Sequence, residues 1–87
     1  MFRDMSEYSE RFARNLAAEL RAEKARKQVS DEDIARATNT HRVSISRYLS
    51  GARAIPLTAF ADICDYLGTP PSQIIDEAEK RTRGDMQ

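Results

Sequence analysis

The sequence predicts an all-α fold, a compact five-helix bundle built around one core. Apolar residues recur at spacings of three and four along most of the chain, and no segment shows the period-two alternation of a strand. Asn39, Gly51, Pro56, Gly68 and the Pro70-Pro71 pair divide it into helix-length pieces. Eighty-seven residues, 40% of them hydrophobic, suffice for one small domain and are too few for two with a cleft between them. The expected organisation is a flexible N-terminus at 1–5, a single domain at 6–80 and a frayed tail at 81–87.

The first helix runs from about Ser6 to Lys27, where Phe12, Leu16 and Leu20 recur at spacing four with Ala13 and Ala17 beside them. Ser30 followed by Asp31, Glu32 and Asp33 supplies a hydroxyl cap and then the acids that unpaired N–H groups favour, so a short second helix spans Asp31 to Thr38. Asn39 tolerates the left-handed conformation of a tight exit, and Thr40 is the expected N-cap of the third helix, His41 to Leu49. That helix has Ile45, Tyr48 and Leu49 on its inward side and Arg42, Val43, Ser46 and Arg47 on the other; Gly51 ends it. Pro56 opens a fourth helix, Leu57 to Leu67, which carries Phe60, Ile63, Cys64 and Leu67 inward and closes at Gly68. Pro70 and Pro71 occupy the first turn of a fifth helix bearing Ile74 and Ile75.

No apolar run is long enough for a membrane span or a secretory leader, which leads us to expect a soluble, cytoplasmic protein with no membrane partner. Cys64 has no second cysteine for a disulfide or a zinc site, so the fold is expected to hold no metal. There is no HExxH, P-loop or GxSxG pattern, and the only histidine and only cysteine fall on different helices. We therefore expect no enzyme activity, no cofactor and no small-molecule substrate. Paired carboxylates such as Asp62 and Asp65 are too common at helical spacing to imply acid-base chemistry.

Fourteen basic and fourteen acidic residues give a formal net charge of zero, which argues against a polyanionic partner until their positions are considered. Between Asp33 and Asp62 there is no acid, while Arg36, Arg42, Arg47 and Arg53 all lie there. After it, Asp62, Asp65, Asp76, Glu77 and Glu79 precede the next base, Lys80. A basic middle and an acidic later part give the chain a dipole.

The run from Val29 to Gly51, VSDEDIARATNTHRVSISRYLSG, resembles the helix-turn-helix of the phage repressor and Cro class, also called the xenobiotic-response-element class. The family pattern is roughly LSQEELAxxLGVSxxTISxIExG. The resemblance extends through Ala54-Ile55-Pro56 and Asp65-Tyr66-Leu67-Gly68 and covers about Leu16 to Ile75. It implies a lambda-repressor-like bundle in which helices two and three form the motif, with the small Ala35 where they cross. It also implies a bacterial or phage transcriptional regulator that inserts helix three into the major groove of double-stranded DNA and occludes a promoter.

Carried over position by position, the resemblance puts base reading on Arg42, Val43 and Arg47. Either arginine can fork onto the O6 and N7 of a guanine and Val43 can pack on a thymine methyl, so G-containing half-sites are expected. Asp31, Thr40, His41, Ser44, Ser46, Ser50 and Arg53 fall at backbone-contacting or positioning places. A homodimer, at least on DNA, is expected to read an inverted repeat, with Tyr66 and Ile75 as candidates for its interface.

Three places depart from the pattern. Asp31 replaces the usual Gln, and two roles are open to it: buttressing Arg42, or capping helix two. Thr38 and Asn39 stand for the usual Leu and Gly before and in the turn. An Arg and Glu pair that joins helices one and three in the family falls on Lys24 and Leu49, so that bridge cannot form. The competing reading is an antitoxin-like or adaptor module that uses the same fold to bind another protein.

Overall fold

The computed structural model describes the backbone of residues 5–87 and the side chains of residues 7–87. The expected flexible segment at 1–5 lies outside the described residues, except that Met5 already opens a helix. Five helices follow in order: α1 Met5–Lys27, α2 Asp31–Thr38, α3 Arg42–Ser50, α4 Leu57–Leu67 and α5 Pro71–Asp85. There is no strand among the described residues.

One core joins all five. Leu16 and Leu20 of α1 meet Ile34 and Ala35 of α2, Ile45, Tyr48 and Leu49 of α3, Phe60, Ile63, Cys64 and Leu67 of α4, and Ile74 and Ala78 of α5. These are residues that the three-and-four periodicity turns inward, and burying a large aliphatic side chain stabilises by roughly 1.5–3 kcal/mol each. Ala35 is buried in this core on α2, the helix that packs on both α3 and α4, where a larger side chain would have no room.

Each short helix is bounded by local chemistry. Ser30 Oγ accepts from the Asp33 N–H at 3.0 Å and Asp33 Oδ2 accepts from the Ser30 N–H at 3.0 Å, a reciprocal box that closes the start of α2. The Ser30 backbone N–H, then its hydroxyl, hold the Asp33 carboxyl below its usual range, and Arg36 adds to this. At the other end Asn39 adopts φ 53°, and the Thr40 N–H reaches the Ala35 carbonyl at 2.9 Å. Gly68 ends α4 in the same way at φ 71°, with the Thr69 N–H on the Cys64 carbonyl. A third such exit was not legible in the sequence: Gln28 ends α1 at φ 58°, with the Val29 N–H on the Lys24 carbonyl.

Two expectations are corrected. His41, not Thr40, is the N-cap of α3 and offers no side-chain cap, because the Thr40 hydroxyl turns back to the Thr38 carbonyl at 3.1 Å. Residues 81–85 are not a frayed tail but the last turns of α5. Ile74, Ala78 and Thr82 form one buried stripe at spacing four, and Thr82 is fully buried although it is polar. Its hydroxyl donates to the Ala78 carbonyl at 2.7 Å and accepts from Asn15 Nδ2 of α1 at 3.0 Å, while Arg81 reaches Glu19 at 2.7 Å.

Replacing Thr82 by Val keeps the shape and removes the bond to Asn15, so denaturant unfolding should show a loss of roughly 1 kcal/mol. Because the folded pKa of Asp33 is depressed, its contribution is present above the ordinary carboxylate pKa and is lost as pH falls through the lower folded value. Asp33→Asn should therefore lower Tm at neutral and alkaline pH and flatten the acid side of the Tm-against-pH curve, the two proteins converging at low pH.

Candidate nucleic-acid interface

The rotation of α3 decides what the molecule presents. Ile45 is completely buried and Tyr48 and Leu49 nearly so, which turns Arg42, Val43, Ser46 and Arg47 to the opposite, exposed side. Val43 is 55% exposed, an unusual position for a branched apolar side chain with nothing to cover it. These residues form one wall of an open groove of about 580 Å³. The other wall is the end of α1 and the start of α2: Lys24, Val29, Ser30, Asp31 and Glu32.

The Asp31 carboxylate faces Lys24, whose Nζ lies 2.7 Å from Oδ1, and no hydrogen bond or ion pair joins it to Arg42. That oxygen is shut from solvent and has no hydrogen bond of its own, so the pair is held by charge. Of the two roles open to Asp31, neither is formed: the reversal through Gln28 brings the Lys24 ammonium, rather than the Arg42 guanidinium, to its carboxylate, and the cap of α2 is made by Ser30 and Asp33. The missing bridge between α1 and α3 is likewise replaced. Arg21 of α1 donates to the Leu49 carbonyl near the C-terminal end of α3, a contact with a backbone acceptor that no side-chain pattern reveals.

Partners divide the cations into two sets. Arg11, Lys24, Arg26, Arg36, Lys80, Arg81 and Arg83 each pair with a carboxylate. Among the described residues, Arg42 and Arg47 have no ion pair or side-chain hydrogen bond, nor do Arg14 and Lys27. Arg53, in the loop after α3, has no carboxylate either; its guanidinium carbon lies 5.8 Å from the centre of the Tyr48 ring. The zero net charge is therefore made of neutralised pairs, of unneutralised guanidinium groups along α3 and its following loop, and of unpaired carboxylates set elsewhere, such as Glu10, Glu32, Asp62 and Asp65.

The remaining candidates are placed as follows. His41 is exposed at the start of α3, Ser44 is half-buried, and Ser46 is exposed in the groove. Thr40 is engaged with Thr38, and the Ser50 hydroxyl is taken by the turn, donating to the Arg47 carbonyl and accepting from the Ala52 N–H. Both are less available to a ligand than their position in the sequence suggested.

Burial, and then the nearby Glu23 carboxylate, push the Cys64 thiol up to about 11, so it stays protonated near neutrality. Glu23 is itself buried and accepts from the Thr69 hydroxyl at 2.9 Å and from Arg26. Among the described residues, no three His, Cys, Asp or Glu side chains are grouped to hold a metal ion, and no helix is long and apolar enough to cross a membrane.

Two parallel N–H donors on a guanidinium match the O6 and N7 of guanine, and a methyl group matches that of thymine. An exposed helical face carrying two unpaired arginines around a valine has both. A family model described as a helix-turn-helix domain matches residues 15–74, which is more than half of the chain. No curated protein matches it.

Because the Arg42 and Arg47 side chains are exposed and bond to nothing, changing both to Ala should move the unfolding free energy by no more than about 0.5 kcal/mol. Calorimetry on the double variant checks this, and a larger loss would mean that the two arginines hold the fold.

Proposed function

Because the chain belongs to the helix-turn-helix domain family, we propose that it is a sequence-specific transcriptional regulator of the phage repressor or Cro type, acting in a bacterial cytoplasm. It inserts α3 into the major groove of double-stranded DNA and represses by occluding a promoter. The observation that carries this reading is the outward face of α3, where Arg42 and Arg47 are exposed without any carboxylate to neutralise them.

In this reading Arg42 and Arg47 fork onto guanines and Val43 packs on a thymine methyl, each good bidentate pair giving roughly 1–3 kcal/mol of discrimination. His41, Ser44, Ser46 and Arg53 serve the backbone, with Thr40 and Ser50 shaping the turns on either side of α3. Asp31 acts indirectly, through the Lys24 ammonium that it holds at the edge of the groove. One groove gives limited affinity, so the protein acts as a homodimer on an inverted repeat, with half-sites about one helical turn (~34 Å) apart. Tyr66 and Ile75, 41% and 40% exposed, and Leu57, 77% exposed, are apolar surface available to such a pairing.

The second reading, an antitoxin-like or adaptor module, is favoured by one observation. Leu57 and Ile75 flank an apolar hollow that also includes Phe12 and Phe60, a surface suited to a protein partner.

Selection of bound sequences from a random duplex library at near-physiological salt tests the first reading, with Arg42→Ala/Arg47→Ala as control. A palindromic, G-containing site enriched by the parent protein alone is expected. Recovery of no site, or the same site with the double variant, would overturn the assignment and favour the protein-binding module.

A further inference from the structure

The N-terminus of a helix attracts phosphate through its free N–H groups, and in this molecule the start of α2 lies on the groove wall opposite α3. It is occupied by its own side chains. Ser30 and Asp33 take each other's N–H groups, Asp31 is beside Lys24, and Glu32 has no partner and faces the groove. The Ser30 and Asp33 N–H groups are thus already used, and the unpaired Glu32 carboxylate repels a phosphate oxygen that approaches this end. The backbone of a bound duplex needs its hold elsewhere.

The other side of α3 supplies one. A hollow of about 210 Å³ lies between α1 and the loop that follows α3, with Arg14 and Arg53 at its rim and Tyr48 and Gly51 lining it. Both guanidinium groups are exposed and neither has a carboxylate partner. Arg53 is steadied by the Tyr48 ring, and its own N–H bonds to the Arg47 carbonyl at 3.3 Å, which couples the loop to the α3 face that carries Arg47. Glu10 also lines the hollow, four residues before Arg14, yet forms no ion pair with it.

We propose that Arg14 and Arg53 together form a phosphate-binding pair that anchors the DNA backbone beside the C-terminal end of α3, in place of the acid-blocked start of α2. The proposal rests on the reading of the chain as a duplex-DNA binder and adds to it a residue of α1, Arg14, outside the two helices of the motif. The pair sets register and affinity. It carries no base preference, because a phosphate is the same at every step.

The test is the salt dependence of binding to two labelled duplexes, one of mixed sequence and one containing the site recovered by selection. Arg14→Ala and Arg53→Ala should each lower the slope of log K against log salt by about 0.9, and the double variant by about twice that. Each single variant should then lose roughly threefold less affinity than the parent between about 50 and 200 mM salt. The ratio of affinities for the two duplexes should stay at the parent value, whereas Arg42→Ala should reduce it. Arg14→Lys should keep the parent slope, and Glu10→Gln should tighten binding to both duplexes. A parent that binds with its full slope while Arg14→Ala leaves that slope unchanged would overturn the anchor and leave the DNA reading intact. A parent that binds neither duplex would overturn both.

Discussion

Ile45 sits at the point where α3 meets the rest of the molecule, and with Tyr48 and Leu49 it fixes the rotation of that helix about its own axis. A helix turns about 100° per residue, so once these three face inward the directions of Arg42, Val43, Ser46 and Arg47 follow. The helices that receive them are α1 and α2, which bring Leu16, Leu20, Ile34 and Ala35 into the same core. Two further ties stop α3 from tilting away, the Arg21 guanidinium on the Leu49 carbonyl and the packing of α2 against that helix. The exposed face is thus a product of packing on the hidden one.

Charge is arranged with the same economy. Surface pairs such as Lys80 with Asp76 and Arg83 with Glu79 add little to stability, since solvent screens them. Their effect is on the field. By neutralising α5 and the start of α1 they leave the unpaired guanidinium groups of Arg42, Arg47, Arg53 and Arg14 to shape the potential around α3. A chain with no net charge can in this way present a positive edge to a polyanion.

Much of this was legible in the sequence where the determinant is local. Ser30, Asn39, Gly51 and Gly68 mark helix ends because each acts on the backbone within a few residues, and the bounds of α2 and α4 follow from them. The outward set on α3 was legible because periodicity alone separates it from Ile45 and Leu49. What escaped depends on distant or backbone partners. Thr82 is polar, so no apolar pattern extends α5 to it; only Asn15, far away in the chain, shows why it is buried. The Lys24 and Asp31 pair needs the reversal at Gln28, a residue whose type gives no sign of a left-handed turn. Arg14 could not be singled out either, because an arginine four residues after Glu10 looks paired until the two are seen apart.

The clasp of α5 on α1 has a temporal consequence. Asn15 and Thr82 are 67 residues apart, so all of α2, α3 and α4 must be made before they meet, and closing such a loop is among the slower steps of folding. The α2–α3 pair, by contrast, is joined by short-range contacts and forms early. During synthesis α3 therefore emerges well before α5, the segment whose clasp on α1 completes the core.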